Sequence, residues 1–166
     1  MFTAHILTVS DKGYRGERED TAGPAAADML RKAGYRVTGI TVVPDEPDLI
    51  EKEMIHLSDQ EQVALLLTSG GTGFAKRDIT PEVTSRVCER MCPGIPEAMR
   101  AACLSITPRA MLSRGVAGIR GNTLIVNLPG SPKAVRENLE PVLPALEHGL
   151  KMLLGISGEC AINARD

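Results

Sequence analysis

The sequence is poor in aromatic side chains and has no excess of basic ones. It contains no tryptophan, aromatic residues make up 2% of its 166 positions, and 19 lysines and arginines stand against 21 acidic residues. Proteins that bind nucleic acid usually present a basic surface, and those that bind single strands add aromatic rings for stacking. A nucleic-acid partner is therefore not expected.

Long hydrophobic runs are also missing from the sequence. A transmembrane helix needs a stretch of about 18 apolar residues, and none occurs. The first residues show no basic segment followed by a long apolar one, as a secretory leader would. We therefore expect a soluble cytoplasmic protein with no membrane partner.

Cysteine is scarce, with four residues: Cys88, Cys92, Cys103 and Cys160. Cys88 and Cys92 are four positions apart, which on a helix would place them on one face. No second pair follows at zinc spacing, and nothing indicates secretion. We interpret the pair as small buried hydrophobic side chains rather than as metal ligands or disulfide partners.

The patterns that are present indicate one α/β domain spanning residues 1–166, since apolar runs typical of strands alternate with helical patterns. Strands are predicted over residues 5–10, 36–43, 63–67, 110–119 and 123–128. The turn signal Arg120-Gly121-Asn122 joins the last two as a hairpin. The sheet should therefore be mostly parallel and partly mixed.

Two helix starts are marked by a hydroxyl residue before a proline. Thr80 is expected to cap a helix whose first residue is Pro81, with Val83, Val87 and Met91 forming its apolar stripe. The dipeptide Ser131-Pro132 is expected to open a later helix in the same way.

Polar and glycine residues gather where the predicted strands end. The segments concerned contain Ser10, Asp11, Asp45, Ser69, Gly70, Gly71, Thr72, Gly73, Pro129, Gly130 and Ser131. In an open parallel sheet, ligands bind outside the carboxyl ends of the strands. These segments are therefore predicted to converge on one crevice that binds a phosphorylated ligand.

The glycine loop has two interpretations that the residues alone leave open. Its glycines at 70, 71 and 73 let the backbone approach a ligand and present N–H groups to an anion. The same residues also suit a tight connection between a strand and a helix. The loop matches neither the P-loop pattern nor the dinucleotide fingerprint, which makes a nicotinamide-dependent dehydrogenase an unsuitable alternative.

Two aspartates, Asp45 and Asp78, follow predicted strand ends. Carboxylates beside a phosphate site repel the ligand unless a cation intervenes, and Mg²⁺ held by one or two carboxylates resolves that conflict. Each aspartate also has an ordinary structural interpretation. Asp45 precedes Pro47 and could cap a helix, and Asp78 could pair with Arg77.

The sequence resembles the MogA/MoaB family of molybdopterin adenylyltransferases over nearly its whole length. The most specific match runs from Thr68 to Glu82 and reads TSGGTGFAKRDITPE. Supporting matches are Pro44-Asp45-Glu46, the segment PGIPEAMR at residues 93–100, and Leu112-Ser113-Arg114.

The resemblance implies a three-layer α/β/α sandwich, assembled as a homotrimer. It implies an enzyme that transfers AMP from MgATP to the phosphate of molybdopterin, releases pyrophosphate and hands its product to a molybdate-insertion protein. In this family pattern Asp45 and Asp78 are the catalytic and Mg²⁺-linked aspartates, residues 69–73 bind the ligand, and residues 129–132 and Ser113 lie near the pterin. An alternative that the resemblance leaves open is a non-catalytic, MoaB-type protein that binds pterin or nucleotide.

Overall fold

The computed structural model describes residues 1–156, and its centre is a six-stranded sheet. The strands are β1 (Thr3–Val9), β2 (Arg36–Val43), β3 (Leu65–Ser69), β4 (Arg90–Met91), β5 (Ala117–Arg120) and β6 (Thr123–Leu128). Their order is β2-β1-β3-β6-β5-β4; the first four are parallel, and β5 and β4 are antiparallel to their neighbours. The predicted mostly parallel, partly mixed sheet is confirmed, including the β5–β6 hairpin.

Helices cover both faces of the sheet. They are α1 (Asp11–Tyr14), α2 (Ala22–Lys32), α3 (Pro47–Ile55), α4 (Thr80–Val87), α5 (Gly94–Leu104), α6 (Pro132–Leu139) and α7 (Leu143–Leu153). A π-helical turn at His56–Gln60 extends α3, and a 3₁₀ turn occupies Pro108–Leu112. None of the helices formed by residues 1–156 is long and apolar enough to cross a lipid bilayer.

Two separate hydrophobic cores show that the fold is a three-layer sandwich. One core joins the sheet to α2, α5, α6 and α7, and the other joins its opposite face to α3 and α4. Strand β3 lies between them and is buried at all five residues, which explains the three successive leucines with which it begins. The α/β/α architecture implied by the resemblance is confirmed.

The chain after α4 differs from the sequence prediction. Helix α4 ends at Val87 and Cys88 is extended, because Glu89 N–H and Cys92 N–H donate to carbonyls of β5, each at 2.8 Å. Met91 consequently lies in β4, 44% exposed, and not on the apolar stripe of the helix. This edge pairing is a long-range contact that the local helical pattern does not reveal.

The two cysteines of this segment do not share a helix face. Cys88 packs against the core beneath α3 and α4, and Cys92 against the core on the other side of the sheet. Both are partly buried free thiols, and burial raises the pKa of Cys88 to about 11. They act as apolar side chains, as predicted, although the helical placement was wrong; Cys160 lies outside the described residues.

The predicted strand over residues 110–119 is wrong in its first part. Thr107 accepts a hydrogen bond from the N–H of Arg109 at 3.3 Å, and Pro108 opens the 3₁₀ turn that runs to Leu112. The extended chain begins only at Ser113, and β5 starts at Ala117. A capping threonine followed by proline therefore outweighs the apolar sequence here.

Thr80 is not the cap of α4. The cap position belongs to Ile79, and Thr80 is the first helical residue. The N–H of Thr80 donates to the carbonyl of Gly71 at 3.1 Å, while its hydroxyl is buried and has no hydrogen-bond partner among the described residues. The start of α4 is thus fixed by the glycine loop and not by a side-chain cap.

Candidate functional site

A cavity of about 660 Å³ opens at the carboxyl end of the parallel strands. Strand β1 lies between β2 and β3 in the sheet. The chain therefore crosses from β1 to β2 in one direction and from β2 to β3 in the opposite direction, and the cavity lies where the direction reverses. Such a reversal of strand order leaves a crevice for ligands. The volume is in the range that small-molecule ligands occupy.

The predicted strand-end segments do converge on this cavity. Its walls include Ser10, Asp11, Asp45, Ser69, Gly70, Gly71, Thr72, Gly73, Asp78, Pro129, Gly130 and Ser131. Ser113 is not among the lining residues. It ends the 3₁₀ turn, where its hydroxyl accepts a hydrogen bond from the N–H of Gly115 at 3.4 Å.

The glycine loop, residues 69–73, packs closely against the end of β1. Gly70 and Gly71 have φ of +103° and +66°, a conformation that favours glycine. A Cβ at Gly70 would lie 2.3 Å from the Val9 carbonyl oxygen, and one at Gly71 would lie 2.3 Å from the Thr80 hydroxyl. The loop is therefore a tight connection, and its lack of side chains also leaves the backbone open to the cavity.

The loop is tied to the segment after β6. The N–H of Gly70 donates to the Leu128 carbonyl at 3.1 Å, and the Ser69 hydroxyl donates to the Pro129 carbonyl at 3.1 Å. Helix α6 then begins beside the cavity, with Ser131 accepting a hydrogen bond from the N–H of Ala134 at 3.3 Å. The positive end of this helix points to the same space as the loop, an arrangement that favours anions.

Asp45 joins the ends of β1 and β2 by a reciprocal pair of hydrogen bonds. Its Oδ2 accepts from the N–H of Asp11 at 2.9 Å, and Asp11 Oδ1 accepts from the N–H of Asp45 at 3.1 Å. Burial raises the pKa of Asp45, and the charges of Asp11 and Asp78 add to the rise. Helix α3 starts after Glu46, and Asp45 does not cap it.

Arg77 neutralises the acids at the rim of the cavity. Its guanidinium donates to both carboxylate oxygens of Asp11, at 2.7 and 3.0 Å, and to Glu46 at 2.6 Å. The Arg77 side chain therefore lowers the pKa of Asp11, and the two acids raise the pKa of Arg77. Arg77 does not pair with Asp78, so the structural interpretation of Asp78 as its partner is wrong.

Asp78 instead faces the glycine loop. Its Oδ2 accepts from the N–H of Ala75 at 2.9 Å and would lie 2.9 Å from a Cβ at Gly73. Within residues 1–156, neither Asp45 nor Asp78 forms an ion pair with a basic side chain. Asp45 and Asp78 are thus two of the four carboxylates of the cavity wall that form no ion pair within residues 1–156, the others being Glu19 and Asp20.

These carboxylates and their surroundings suit a hard cation. The unpartnered hydroxyl of Thr80 and Oδ1 of Asp45 border the space that a side chain at Gly71 would fill. All the donors are oxygens, which Mg²⁺ prefers. The described residues contain no group of three or more His, Cys, Asp or Glu side chains able to hold a metal, so further ligands would come from substrate and water.

The sequence prediction missed several residues of the cavity. Asp20 accepts from the N–H groups of Ala22 and Gly23, at 3.1 and 3.0 Å, and from the Thr8 hydroxyl at 2.7 Å. Lys12 and Arg18 also line the cavity and supply positive charge. The strand-end rule would have included them if it had been applied to the whole segment between β1 and α2.

Arg114 was noted only as part of a motif, and its structural role was also missed. Its Nε donates to the carbonyl of Gly73 at 2.7 Å, and its backbone N–H donates to the carbonyl of Thr72 at 3.0 Å. Only the folded chain brings this arginine to the loop, so no local sequence signal identifies the contact.

Comparison with known proteins agrees with the resemblance found in the sequence motifs. A family model described as a probable molybdopterin binding domain matches residues 5–148. A molybdopterin adenylyltransferase of Helicobacter pylori J99 is 46% identical over 161 residues, which cover 93% of this chain and 90% of the relative.

Solved structures agree with the sequence matches. The molybdopterin biosynthesis enzyme MoaB of Thermus thermophilus is 54% identical, with a TM-score of 0.88, covering 93% of this chain and 98% of that one. The tungsten cofactor synthesizing protein MoaB of Pyrococcus furiosus is 32% identical, with a TM-score of 0.80, covering 92% and 97% of the two chains.

Proposed function

This chain belongs to the family of the probable molybdopterin binding domain, and we propose that it is a molybdopterin adenylyltransferase of molybdenum cofactor biosynthesis. The family predicted from its motifs is confirmed. The observation that carries the proposal is the similarity, at 46% identity over 93% of the chain, to a relative of that name. The cavity, with its glycine loop, helix start and paired carboxylates, supports the same conclusion.

In this reaction a phosphate oxygen of molybdopterin attacks the α-phosphorus of ATP. The new P–O bond forms as the bond between the α-phosphorus and the oxygen bridging to the β-phosphorus breaks, and pyrophosphate leaves with that oxygen. Both reactants are anions, so the protein contributes mainly by positioning them and by stabilising charge. No covalent bond to the chain is needed.

The loop formed by Ser69, Gly70, Gly71, Thr72 and Gly73 binds the phosphates in this proposal, and the N–H groups that follow Gly70, whose own N–H is bonded to Leu128, hold the phosphate oxygens. Ser131 and the start of α6 hold a second phosphate, and Pro129 and Gly130 shape the wall beside it. Ser10 and Asp11 complete the floor. Ser113 is assigned to the pterin side; it does not line the cavity, but it precedes Arg114, whose N–H donates to the lining residue Thr72.

Asp45 and Asp78 are proposed as the catalytic carboxylates that hold Mg²⁺. The ion, when bound, neutralises phosphate charge and so allows two anions to approach each other. The Thr80 hydroxyl beside Asp45 and the absence of an ion pair for either carboxylate within residues 1–156 support this assignment. The reciprocal bonds between Asp45 and Asp11 hold the first carboxylate in place.

The assembly of the protein is part of the proposal. A homotrimer, one domain over residues 1–166, a cytoplasmic location and transfer of the product to a molybdate-insertion protein are all predictions from the resemblance and the sequence. The trimer is supported by apolar side chains exposed near the end of α5 and on the 3₁₀ turn, namely Leu104, Ile106, Met111 and Leu112.

The decisive experiment measures pyrophosphate release from MgATP with and without molybdopterin, together with mass detection of the adenylated pterin. Pterin-dependent release with that product is expected. Tight pterin binding without release would instead favour the non-catalytic binding protein. Neither binding nor release by folded protein would contradict the family function for this chain.

Asp78→Asn provides the residue-level test. We expect turnover to fall by about 100-fold or more while pterin binding remains measurable, because a charge essential to positioning is lost and the side-chain shape is kept. Asp28→Asn, an exposed aspartate of α2, is the control and should behave as the wild type. Full activity of Asp78→Asn would exclude the proposed role.

A further inference from the structure

The segment between the glycine loop and α4 is closed into a small ring. The N–H of Ala75 donates to Oδ2 of Asp78 at 2.9 Å, and the N–H of Asp78 donates to the carbonyl of Ala75 at 2.9 Å. These bonds orient the Asp78 carboxylate relative to its own loop. They do not fix the loop relative to the rest of the protein. Arg77, within the loop, supplies part of that fixation through Asp11 and Glu46.

Arg114 supplies the other part of that fixation from outside the loop. Its Nε donates to the carbonyl of Gly73 at 2.7 Å, its Nη2 donates to the carbonyl of Asp78, and its Nη1 pairs with Glu82. One guanidinium therefore bridges the two ends of the segment that carries Asp78. Glu82 lies in the first turn of α4 and holds the guanidinium in place.

The same residue also connects this segment to the chain before β5. The backbone N–H of Arg114 donates to the carbonyl of Thr72 at 3.0 Å, so its main chain and its side chain bind the successive carbonyls of Thr72 and Gly73. The Arg114 side chain is 32% exposed and does not line the cavity. Its contacts are with the groups that form the site, and not with the space a substrate would occupy.

We propose that Arg114 is a positioning residue, which fixes the Asp78 carboxylate at the cavity by bridging the carbonyls of Gly73 and Asp78. Only the planar guanidinium presents donors in several fixed directions at once, whereas a lysine ammonium is a point charge on a flexible stem. The expected effect of Arg114 on turnover rests on the proposed function, whereas its role in fixing the loop does not depend on that function.

Arg114→Lys tests the proposal, and Arg120→Lys is its matched control. Arg120 has a comparable arrangement at the other end of β5, with Asp59 at 2.9 and 2.6 Å and the Val87 carbonyl at 3.1 Å. Its side chain is similarly buried, at 24% exposure. The two variants thus remove similar bonds near and far from the cavity.

The first readout is hydrogen exchange, which requires no activity. In Arg114→Lys, the amides of Ala75 and Asp78 should exchange at least about tenfold faster than in the wild type, because their loop opens more readily. In Arg120→Lys they should exchange at the wild-type rate. Unchanged exchange in Arg114→Lys, or equal acceleration in both variants, would overturn the proposal.

The second readout separates kcat from binding. Arg114→Lys should lower kcat by about 100-fold, as a misplacement of the order of 1 Å does, with the Kd for molybdopterin changed by less than about threefold. Arg120→Lys should leave both unchanged. A kcat equal to that of the wild type would refute the positioning role; if the wild type itself shows no turnover, the adenylyltransferase function fails and hydrogen exchange alone decides the role of Arg114.

A second variant covers the case in which Arg114→Lys does not fold. Glu82→Gln keeps the bonds from Arg114 to the carbonyls and removes only the anionic partner of the guanidinium. It should accelerate exchange at Ala75 and Asp78 by a smaller factor, about two- to fivefold, without affecting β5. Exchange at the wild-type rate in this folded variant would contradict the bridging role.

Discussion

Asp45 is a partly buried carboxylate whose charge is unfavourable to the fold. Burial raises its pKa, and the neighbouring charges of Asp11 and Asp78 add to the effect. The pKa of Asp45 is higher in the folded protein than in the unfolded chain. In the pH range around these two pKa values, the folded protein therefore binds more protons than the unfolded chain. The contribution of Asp45 to stability is therefore present at low pH and is lost as pH rises through the raised pKa.

Replacing this carboxylate with a neutral isostere should consequently stabilise the protein at neutral pH. Asp45→Asn is expected to raise Tm by about 2 °C at pH 7, because the amide oxygen can still accept from the N–H of Asp11 while the charge is gone. The gain should vanish near pH 3, where Asp45 is itself protonated. Thermal unfolding followed by circular dichroism at both pH values checks this.

The control for this experiment is Asp28→Asn, which changes a surface charge on α2 and should give no rise in Tm. Turnover should be lost in Asp45→Asn and retained in Asp28→Asn. A lower Tm for Asp45→Asn at pH 7 would show that its charge stabilises the fold, contrary to this account.

At the scale of elements, the turn after β3 depends on the absence of side chains. Gly70 combines a positive φ with a Cβ direction that points at the carbonyl of Val9. Gly70→Ala should therefore destabilise the protein by about 2 kcal/mol or more, through strain and a backbone clash. Urea denaturation measures the change in the free energy of unfolding.

Gly149→Ala is the matched control for Gly70→Ala. Gly149 lies inside α7, is exposed, and has open space where a Cβ would be placed. The substitution should stabilise the protein by about 0.5–1 kcal/mol, since alanine favours the helix. If both glycines tolerate alanine equally, the turn is less constrained than its geometry indicates.

The start of α6 contributes to stability through its side-chain cap and to anion binding through its positive end. Two substitutions at Ser131 test these contributions separately. Ser131→Ala removes the cap and should cost about 1 kcal/mol of stability. Ser131→Asp keeps a capping oxygen but places a negative charge where an anion is expected to bind. It should unfold like the wild type and bind molybdopterin at least about fivefold more weakly, as measured by titration. Equal binding by Ser131→Asp would argue against an anion site at this helix.

Elements with strong local signals were predictable from the sequence. The strands Arg36–Val43 and Thr123–Leu128 have the predicted bounds, because runs of β-branched and apolar residues between clear breakers define them. Strand β4 was not predictable, since its two residues are extended only through pairing with β5. The position of the cavity followed from the strand-end rule, but the pairing of Arg77 and the contacts of Arg114 are long-range and leave no local pattern.

At the scale of the whole molecule, the exposed apolar side chains on one flank predict an interface. Leu112 on the 3₁₀ turn is 47% exposed, and Leu49 on α3 is 43% exposed on a different part of the surface. Leu112→Glu should convert the proposed trimer to monomers, because a charge would be buried in the contact. Leu49→Glu should remain trimeric; sedimentation equilibrium distinguishes the two, and an intact trimer in Leu112→Glu would place the interface elsewhere.

The order of the strands has a consequence for synthesis on the ribosome. Strand β3 pairs with β1, made early, and with β6, made much later, so one edge of the central strand stays open until β6 has emerged. An open edge on a strand that begins with three leucines is prone to pairing with other chains. The nascent protein is therefore most vulnerable to aggregation between the emergence of β3 and of β6, and a chaperone that shields Leu65–Ser69 during this interval would raise the yield of native protein.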